Sequence, residues 1–185
     1  MFVEAVAEDL TVAVAQPRDV REVPSGERPV GIALDLSGAM REIVRLPIGT
    51  LTPEEVIAQE AAKLSLDELL GEVAAGRLCA EYDALARRQV LPAWQFEAPA
   101  PALMPAVMDA LAASGSIDPH DFWETGFGEM ADLTPAELLC GKLFVTRDSV
   151  SIDQIAYLAM PEIERQQIVL SMHDLLVAER RGTLS

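Results

Sequence analysis

The spacing of apolar and polar positions along this chain changes at about residue 50. Before that point, short apolar runs at residues 10–15, 30–36 and 43–46 are separated by Pro, Gly and Ser. Runs of this length between such breakers are typical of short strands. The pattern predicts a small β element, a hairpin or a three-stranded patch, although an extended arm would also suit the prolines.

Helix-start signals recur from residue 52 onward. In a capping box, a Ser or Thr and a Glu or Gln three residues later satisfy free N–H groups of the first helical turn. Four such boxes begin at Thr52, Ser65, Thr134 and Ser151, and Asp118 begins a close variant. These signals predict a body made of several helices.

Glycines and apolar periodicity indicate where the helices end. A glycine follows each of the segments 66–75, 103–113 and 136–140, and glycine is the preferred residue just past a helix end. A terminal helix is predicted at about residues 162–180, because its apolar residues recur at helical spacing. The predicted fold is mainly α, a compact multi-helix bundle with a small N-terminal β element.

These patterns divide the chain into three predicted segments. Residues 1–50 are expected to form a β-rich segment or arm, residues 51–141 a helical domain, and residues 142–185 a helical C-terminal extension. A length of 185 residues suits one domain, with or without a loosely attached appendage.

The charge balance narrows the classes of partner. The chain has 30 acidic and 14 basic residues, a net charge of −16, which opposes contact with nucleic-acid phosphates and anionic membranes. Residues 51–75 have the outline of a helix-turn-helix, but Lys63 is their only basic residue, so direct DNA binding is not expected. The charge suits a solvated surface or a basic partner protein.

The sequence also indicates a cytoplasmic location. No uninterrupted apolar run approaches the ~18–20 residues of a membrane helix, and the first residues lack a basic segment. Two cysteines, Cys79 and Cys140, make no disulfide framework, and their apolar neighbours predict buried free thiols.

Residues suited to catalysis or metal binding are few. His120 and His173 each precede an aspartate, but neighbours on a helix point about 100° apart, so neither pair is a ready dyad. Together with Cys79 and Cys140 the histidines could form a zinc site, but the close paired spacing of zinc modules is missing. We therefore expect a protein that is not an enzyme, with no catalytic residue, no metal site and no cofactor.

Large aromatic side chains concentrate between residues 91 and 141. Aromatic residues make up 5% of the chain, yet both tryptophans and three of the five phenylalanines lie there. Large rings bury the most area per residue, so packing in the core is the favoured interpretation, and contact with a partner is the other. The candidate partner-binding residues are Trp94, Phe96, Phe122, Trp123, Phe127, Arg180 and Arg181. For the two arginines, simple capping of the terminal helix is the alternative.

The order of several short motifs is similar to a known family. A helix end at residues 75–78 (AGRL) precedes the entry segment, residues 91–96 (LPAWQF). An apolar helix follows, and then the Thr-Pro segment, residues 133–139 (LTPAELL). This order resembles the toxin-binding domain of the Xre/MbcA/ParS group of bacterial antitoxins, with its P-x-[FW]-Q-F and G-x-T-P-x-E-x-L motifs. The resemblance covers roughly residues 65–141.

The resemblance implies a helical homo-oligomer, usually a dimer, that neutralises a partner toxin by direct association. The partner in that family is often a RES-domain enzyme that degrades NAD, and many members carry a DNA-binding N-terminal domain. This chain departs from the family in three places: its helix-turn-helix region is acidic, residues 125–130 replace an Asn-Pro turn, and 44 residues follow Gly141.

Two other classes of binding function stay open. The chain could be an adaptor or structural subunit of a larger bacterial or phage assembly, or an acidic mimic of a nucleic acid. An antitoxin gene is expected beside a gene whose product alone stops growth. A mimic needs carboxylates in two rows at phosphate-like spacing.

Overall fold

The computed structural model describes residues 30–34 and 40–182. The strands are β1 (Val30–Leu34), β2 (Met40–Val44), β3 (Thr50–Leu51), β4 (Glu81–Asp83) and β5 (Arg88–Pro92). The helices are α1 (Pro53–Ala58), α2 (Leu66–Ala74), α3 (Ala100–Ser114), α4 (Pro119–Glu124), α5 (Pro135–Cys140), α6 (Ile152–Leu158) and α7 (Glu162–Gly182). Two short 3-10 turns occupy Ala93–Phe96 and Gly128–Met130. The predicted mainly α fold is confirmed.

The predicted N-terminal β element is present as an antiparallel pair. Val30 of β1 lies opposite Val44 of β2, and Leu34 lies opposite Met40. The apolar run predicted as a strand at residues 10–15 lies outside the described residues. Beyond β2, Leu46 forms an isolated parallel bridge with Phe144.

A second sheet, with strand order β3-β5-β4, was not predicted. Thr50 lies opposite Pro92 in the β3–β5 pair, and Glu81 lies opposite Val90 in the β4–β5 hairpin. The strands β3 and β4 have two and three residues, too few to show the alternation that marks a strand in sequence. Their pairing with β5 is what defines them.

The predicted helix starts are confirmed at all five positions. The side chains of Thr52, Ser65, Thr134 and Ser151 each accept a hydrogen bond from the N–H three residues later, and the backbone N–H of each donates to the Glu or Gln side chain at that later position. Asp118 accepts from the first-turn N–H groups of α4. These local bonds satisfy donors that a helix start would otherwise leave free.

The larger of two buried apolar clusters in the described residues runs from Leu46 to Met172 and is called the main core here. The helices α3 and α5 pack against α7, and α5 also packs against α3, α4 and α6. Leu46, Leu139 and Met172 are each fully buried in it. The core thus draws side chains from all three segments that the sequence analysis distinguishes.

A small core lies beside it, under α1 and α2. Its fully buried residues are Val56, Leu69 and Leu91, one each from α1, α2 and β5. Partly buried apolar side chains, among them Leu51 and Phe96, surround these three. The entry segment therefore stands between the two cores.

The close packing of α7 depends on Gly141. This residue ends α5 at φ +65°, a left-handed conformation that favours glycine. A Cβ at this position would lie 2.8 Å from the guanidinium carbon of Arg165. Arg165 is buried and donates to the carbonyl of Met160, so the glycine leaves room for the side chain that holds the α6–α7 turn.

Candidate functional site

Four of the candidate aromatic residues form one stack inside the main core. The ring centroids of Trp94 and Trp123 lie 5.1 Å apart, and Phe122 meets Trp123 edge-on at 5.2 Å. Phe127 meets Phe122 edge-on at 6.4 Å, and such tilted arrangements suit the charge distribution of aromatic rings. Each of the four residues exposes 8% of its surface or less. This placement agrees with the packing interpretation, and a partner-binding role for them stays a prediction.

The other three candidates lie away from this stack. Phe96 is partly buried and lines an apolar cavity of about 470 Å³ between the α1–α2 turn and α3. Arg180 and Arg181 are exposed in the last turn of α7, where the helix dipole favours positive charge. The Arg180 guanidinium donates to the carbonyl of Ser116. The seven candidates therefore do not share one surface.

Gln95 fixes the entry segment to the main core. Its side-chain oxygen accepts from the N–H of Cys79 at 3.0 Å, and its amide nitrogen donates to the carbonyl of Cys79 at 3.0 Å. Because Gln95 is buried, both bonds form away from water and both backbone groups of Cys79 are satisfied. This pair of bonds sets the position of the adjacent Trp94.

Glu137 fixes the Thr-Pro segment in a similar way, through hydrogen bonds of its buried side chain. One carboxylate oxygen accepts from the N–H of Thr134 at 3.1 Å, and the other from the N–H of Phe144 at 3.0 Å. Arg147 donates to both oxygens, at 3.0 and 2.8 Å, and to the carbonyl of Asp132. The hydrogen bonds from Arg147 to Glu137 raise the pKa of the guanidinium. A fully buried carboxylate is thereby paired and bonded throughout, as burial of a charge requires.

A cleft of about 650 Å³ opens between the β3–β5 edge, α4 and the chain after α5. Two segments far apart in the chain reach it, the entry segment through Trp94 and the Thr-Pro segment through Thr134. Apolar side chains at the cleft include Ile48, which is 59% exposed, and Phe144. Concave surfaces of this size with a few polar groups are the usual sites of binding.

The polar wall of the cleft holds three side chains, Glu81, His120 and Glu124, which we name the Glu-His-Glu cluster. The Nδ1 atom of His120 lies 3.0 Å from Oε1 of Glu81, and its Nε2 atom lies 3.7 Å from Oε2 of Glu124. Arg147 lines the same cleft, but its charge is matched by Glu137. With a neutral imidazole, the cluster gives this wall two net negative charges.

The two cysteines are free and buried. Burial raises the pKa of the Cys79 thiol and of the Cys140 thiol to about 12 each. Among residues 30–34 and 40–182, the Glu-His-Glu cluster is the one group of three or more side chains placed to hold a metal ion. The structure therefore does not bring Cys79, Cys140, His120 and His173 together.

Sequence reasoning missed the roles of Glu81, Glu124 and Arg147. The helical i, i+4 spacing of His120 and Glu124 is visible in the sequence, since such residues share one helix face. Nothing local connects them with Glu81, which arrives through the β4–β5 hairpin, or connects Arg147 with Glu137 across a loop.

Comparison with known proteins finds no match for this chain: no protein-family model, no curated protein and no solved structure is significantly similar to it. Among the described residues, no helix is both long enough and apolar enough to cross a membrane.

Proposed function

We propose that this chain is a non-catalytic binding protein that neutralises or regulates a partner protein by direct association, as the antitoxins it resembles do. The observation that carries the proposal is the meeting of the two resemblance segments at one cleft. Trp94 and Thr134 are far apart in the sequence, yet both line it. The same two segments are held rigidly, by Gln95 and by Glu137. A rigid, preformed surface lowers the entropy cost of binding.

The chemistry of the cleft favours a basic and apolar segment of the partner. Ile48 and Phe144 offer apolar contact, and the carboxylates of Glu81 and Glu124 offer charge. An apolar centre with a charged rim is typical of protein interfaces. The net charge of −16 would speed the encounter with a basic partner.

The partner class follows from the resemblance. A RES-type toxin that degrades NAD is the partner we propose, and its basic substrate-binding cleft is the surface that an acidic protein would block. A homodimer in the cytoplasm completes the proposal, again because members of that family are usually dimeric.

The experiment is a growth-rescue assay with the product of the gene adjacent to this one. That product alone should arrest growth, and co-expression of this chain should restore it. In the variant Ile48→Arg, a cation replaces an exposed apolar contact at an acidic cleft. We expect this change to weaken binding of the purified toxin at least tenfold, about 1.4 kcal/mol.

The matched control is Leu85→Arg. Leu85 is 99% exposed in the turn between β4 and β5, and it does not line the cleft. This variant should bind and rescue as the unchanged protein does. Absence of growth arrest, or full binding by Ile48→Arg, would contradict the proposal. Recovery of a large multi-subunit complex with this chain would favour the adaptor function instead.

A further inference from the structure

We propose that the Glu-His-Glu cluster binds one divalent transition-metal ion, with zinc as the best match to its ligands. The inference is independent of the proposed function, because a binding protein of this fold can associate with its partner with or without an ion. It also revises the sequence-based expectation that the chain has no metal site.

The positions of the three side chains favour a shared ion. His120 and Glu124 lie one turn apart on α4, so both project from the same helix face. Glu81 begins β4 and supplies the third ligand from another element. One ligand atom from each residue lies within 4.8 Å of the other two. A tetrahedral ion with bonds of about 2.0–2.1 Å holds its ligand atoms roughly 3.4 Å apart, so small side-chain rotations suffice.

These rotations are available to the side chains. The side chains of Glu81, His120 and Glu124 are 30%, 42% and 58% exposed. Among the described residues, the recorded side-chain contacts of Glu81, His120 and Glu124 lie within the cluster, whereas the carboxylate of Glu137 is fixed by two backbone N–H groups and by Arg147. The cluster can therefore close around an ion without a change in the backbone.

The placement of two carboxylates around the His120 ring is the second observation. Each ring nitrogen faces a carboxylate, Nδ1 that of Glu81 and Nε2 that of Glu124. When the imidazole is neutral it has one N–H donor, and the lone pair of the other nitrogen then faces a carboxylate oxygen. A cation between that nitrogen and that carboxylate converts the repulsion into two coordinate bonds.

The charge and type of the ligands select the kind of ion. Two carboxylates and a neutral imidazole carry a charge of −2, which a divalent ion neutralises. Nitrogen with oxygen ligands suits zinc and its first-row neighbours, whereas Ca²⁺ and Mg²⁺ prefer oxygen alone. Glu81 and His120 line the cleft on one side and a second cavity on the other. Solvent can therefore reach the ion and supply the remaining ligand.

Isothermal titration of the full chain with ZnCl₂, after removal of any histidine tag, tests the inference. We expect saturable binding of one ion per chain. The variants His120→Gln and Glu124→Gln should each weaken binding at least about tenfold. The matched control is Asp121→Asn, which removes an exposed carboxylate from the same helix and should bind zinc unchanged. Thermal unfolding without metal should be similar for all variants, since these side chains are partly exposed.

Titration with Co²⁺ identifies the ligands by absorption. A tetrahedral ion held by nitrogen and oxygen gives visible d–d bands without the near-ultraviolet charge-transfer band of a thiolate ligand. A thiolate band would place the ion on a cysteine and overturn the inference. Lack of saturable zinc binding, or unchanged binding by His120→Gln, would overturn it as well. Either result leaves the growth-rescue assay to decide the proposed function separately.

Discussion

The main core and the small core are made of the same kinds of side chain, but they differ in how they are held together. The main core gathers fully buried residues from Leu46 to Met172 around the Trp94–Trp123 pair. The small core has three fully buried residues, and partly buried ones surround them. Because burial free energy grows with apolar area, the main core supplies most of the stability. The region of α1 and α2 should open first, since few buried contacts hold it.

Capping boxes occur in both regions, and comparing them shows how burial gives the same motif additional contacts. Around Ser65 the box is exposed and stabilises α2 alone. Around Thr134 the box is buried, and its glutamate also binds Phe144 and Arg147. The same motif therefore only starts a helix at Ser65, whereas at Thr134 it is also the centre of a tertiary hydrogen-bond network.

The largest expected effect concerns the cysteines, both of which lie in the main core. At pH 8, labelling of Cys79 and Cys140 by a thiol reagent should be at least about a thousandfold slower in the native protein than in denaturant. The reason is that the reagent needs an exposed thiolate, and exposure of the main core requires most of the unfolding free energy. Rapid native labelling would show that the main core opens as easily as the small one.

The raised thiol pKa values add a pH dependence to the same experiment. Unfolded thiols ionise near pKa 8.5, whereas burial holds the folded thiols protonated up to a pKa of about 12. The difference between the folded and unfolded pKa values therefore adds to the free energy of unfolding below about pH 8.5. This added stability is lost as the pH rises toward 12. Urea denaturation at pH 8 and pH 10 measures the loss, and a variant with both cysteines replaced by alanine should lose less.

A pair of truncations compares the two cores directly. Trp123→Ala should lower the free energy of unfolding by ~3–5 kcal/mol, because its cavity lies at the centre of the aromatic stack. Leu69→Ala should cost about 2–3 kcal/mol, the low end for such a change, since partly buried neighbours can collapse into the space. Urea denaturation measures both. Hydrogen exchange should become faster in α1 and α2 for Leu69→Ala; equal rates throughout the chain would mean that the two cores unfold as one unit.

The smallest expected effects come from the two capping boxes. Ser65→Ala should cost about 0.5–1 kcal/mol, typical of an exposed N-cap. Thr134→Ala should cost about 2 kcal/mol, because the N–H of Glu137 would then be buried without a partner. Thermal denaturation of the two variants gives the difference. Equal costs would remove burial as the explanation of how the two boxes differ.

The helix starts could be predicted because the residues that form each capping box lie within one turn of each other in the sequence. The box of Ser65 and Glu68, for example, needs nothing beyond one turn of chain. The β3–β5 pair could not be predicted, since Leu51 becomes a strand residue only when Leu91 lies opposite it. Strand pairing of this kind is a property of the folded chain, and neither partner carries a local signal for the other.

In the candidate site too, local features could be predicted and contacts between distant residues could not. The place of Thr134 and Glu137 at a helix start was predicted, but the arrival of Arg147 at that carboxylate was not. The helix start at Asp118 was predicted correctly, and His120 lies in the first turn that follows it. Its contact with Glu81 depends on how the β4–β5 hairpin packs, which no spacing in the sequence encodes.

Leu46 has a consequence for the order of events during synthesis. Its N–H donates to the carbonyl of Leu143, its carbonyl accepts from the N–H of Val145, and its side chain is fully buried. These partners leave the ribosome roughly a hundred residues later, a delay of about 5–20 s at bacterial and eukaryotic rates of elongation. A nascent chain that stops before residue 143 leaves the N–H and the carbonyl of Leu46 without these two partners. The contact between these two distant segments of the chain therefore forms only near the end of synthesis, after most of the main core has left the ribosome.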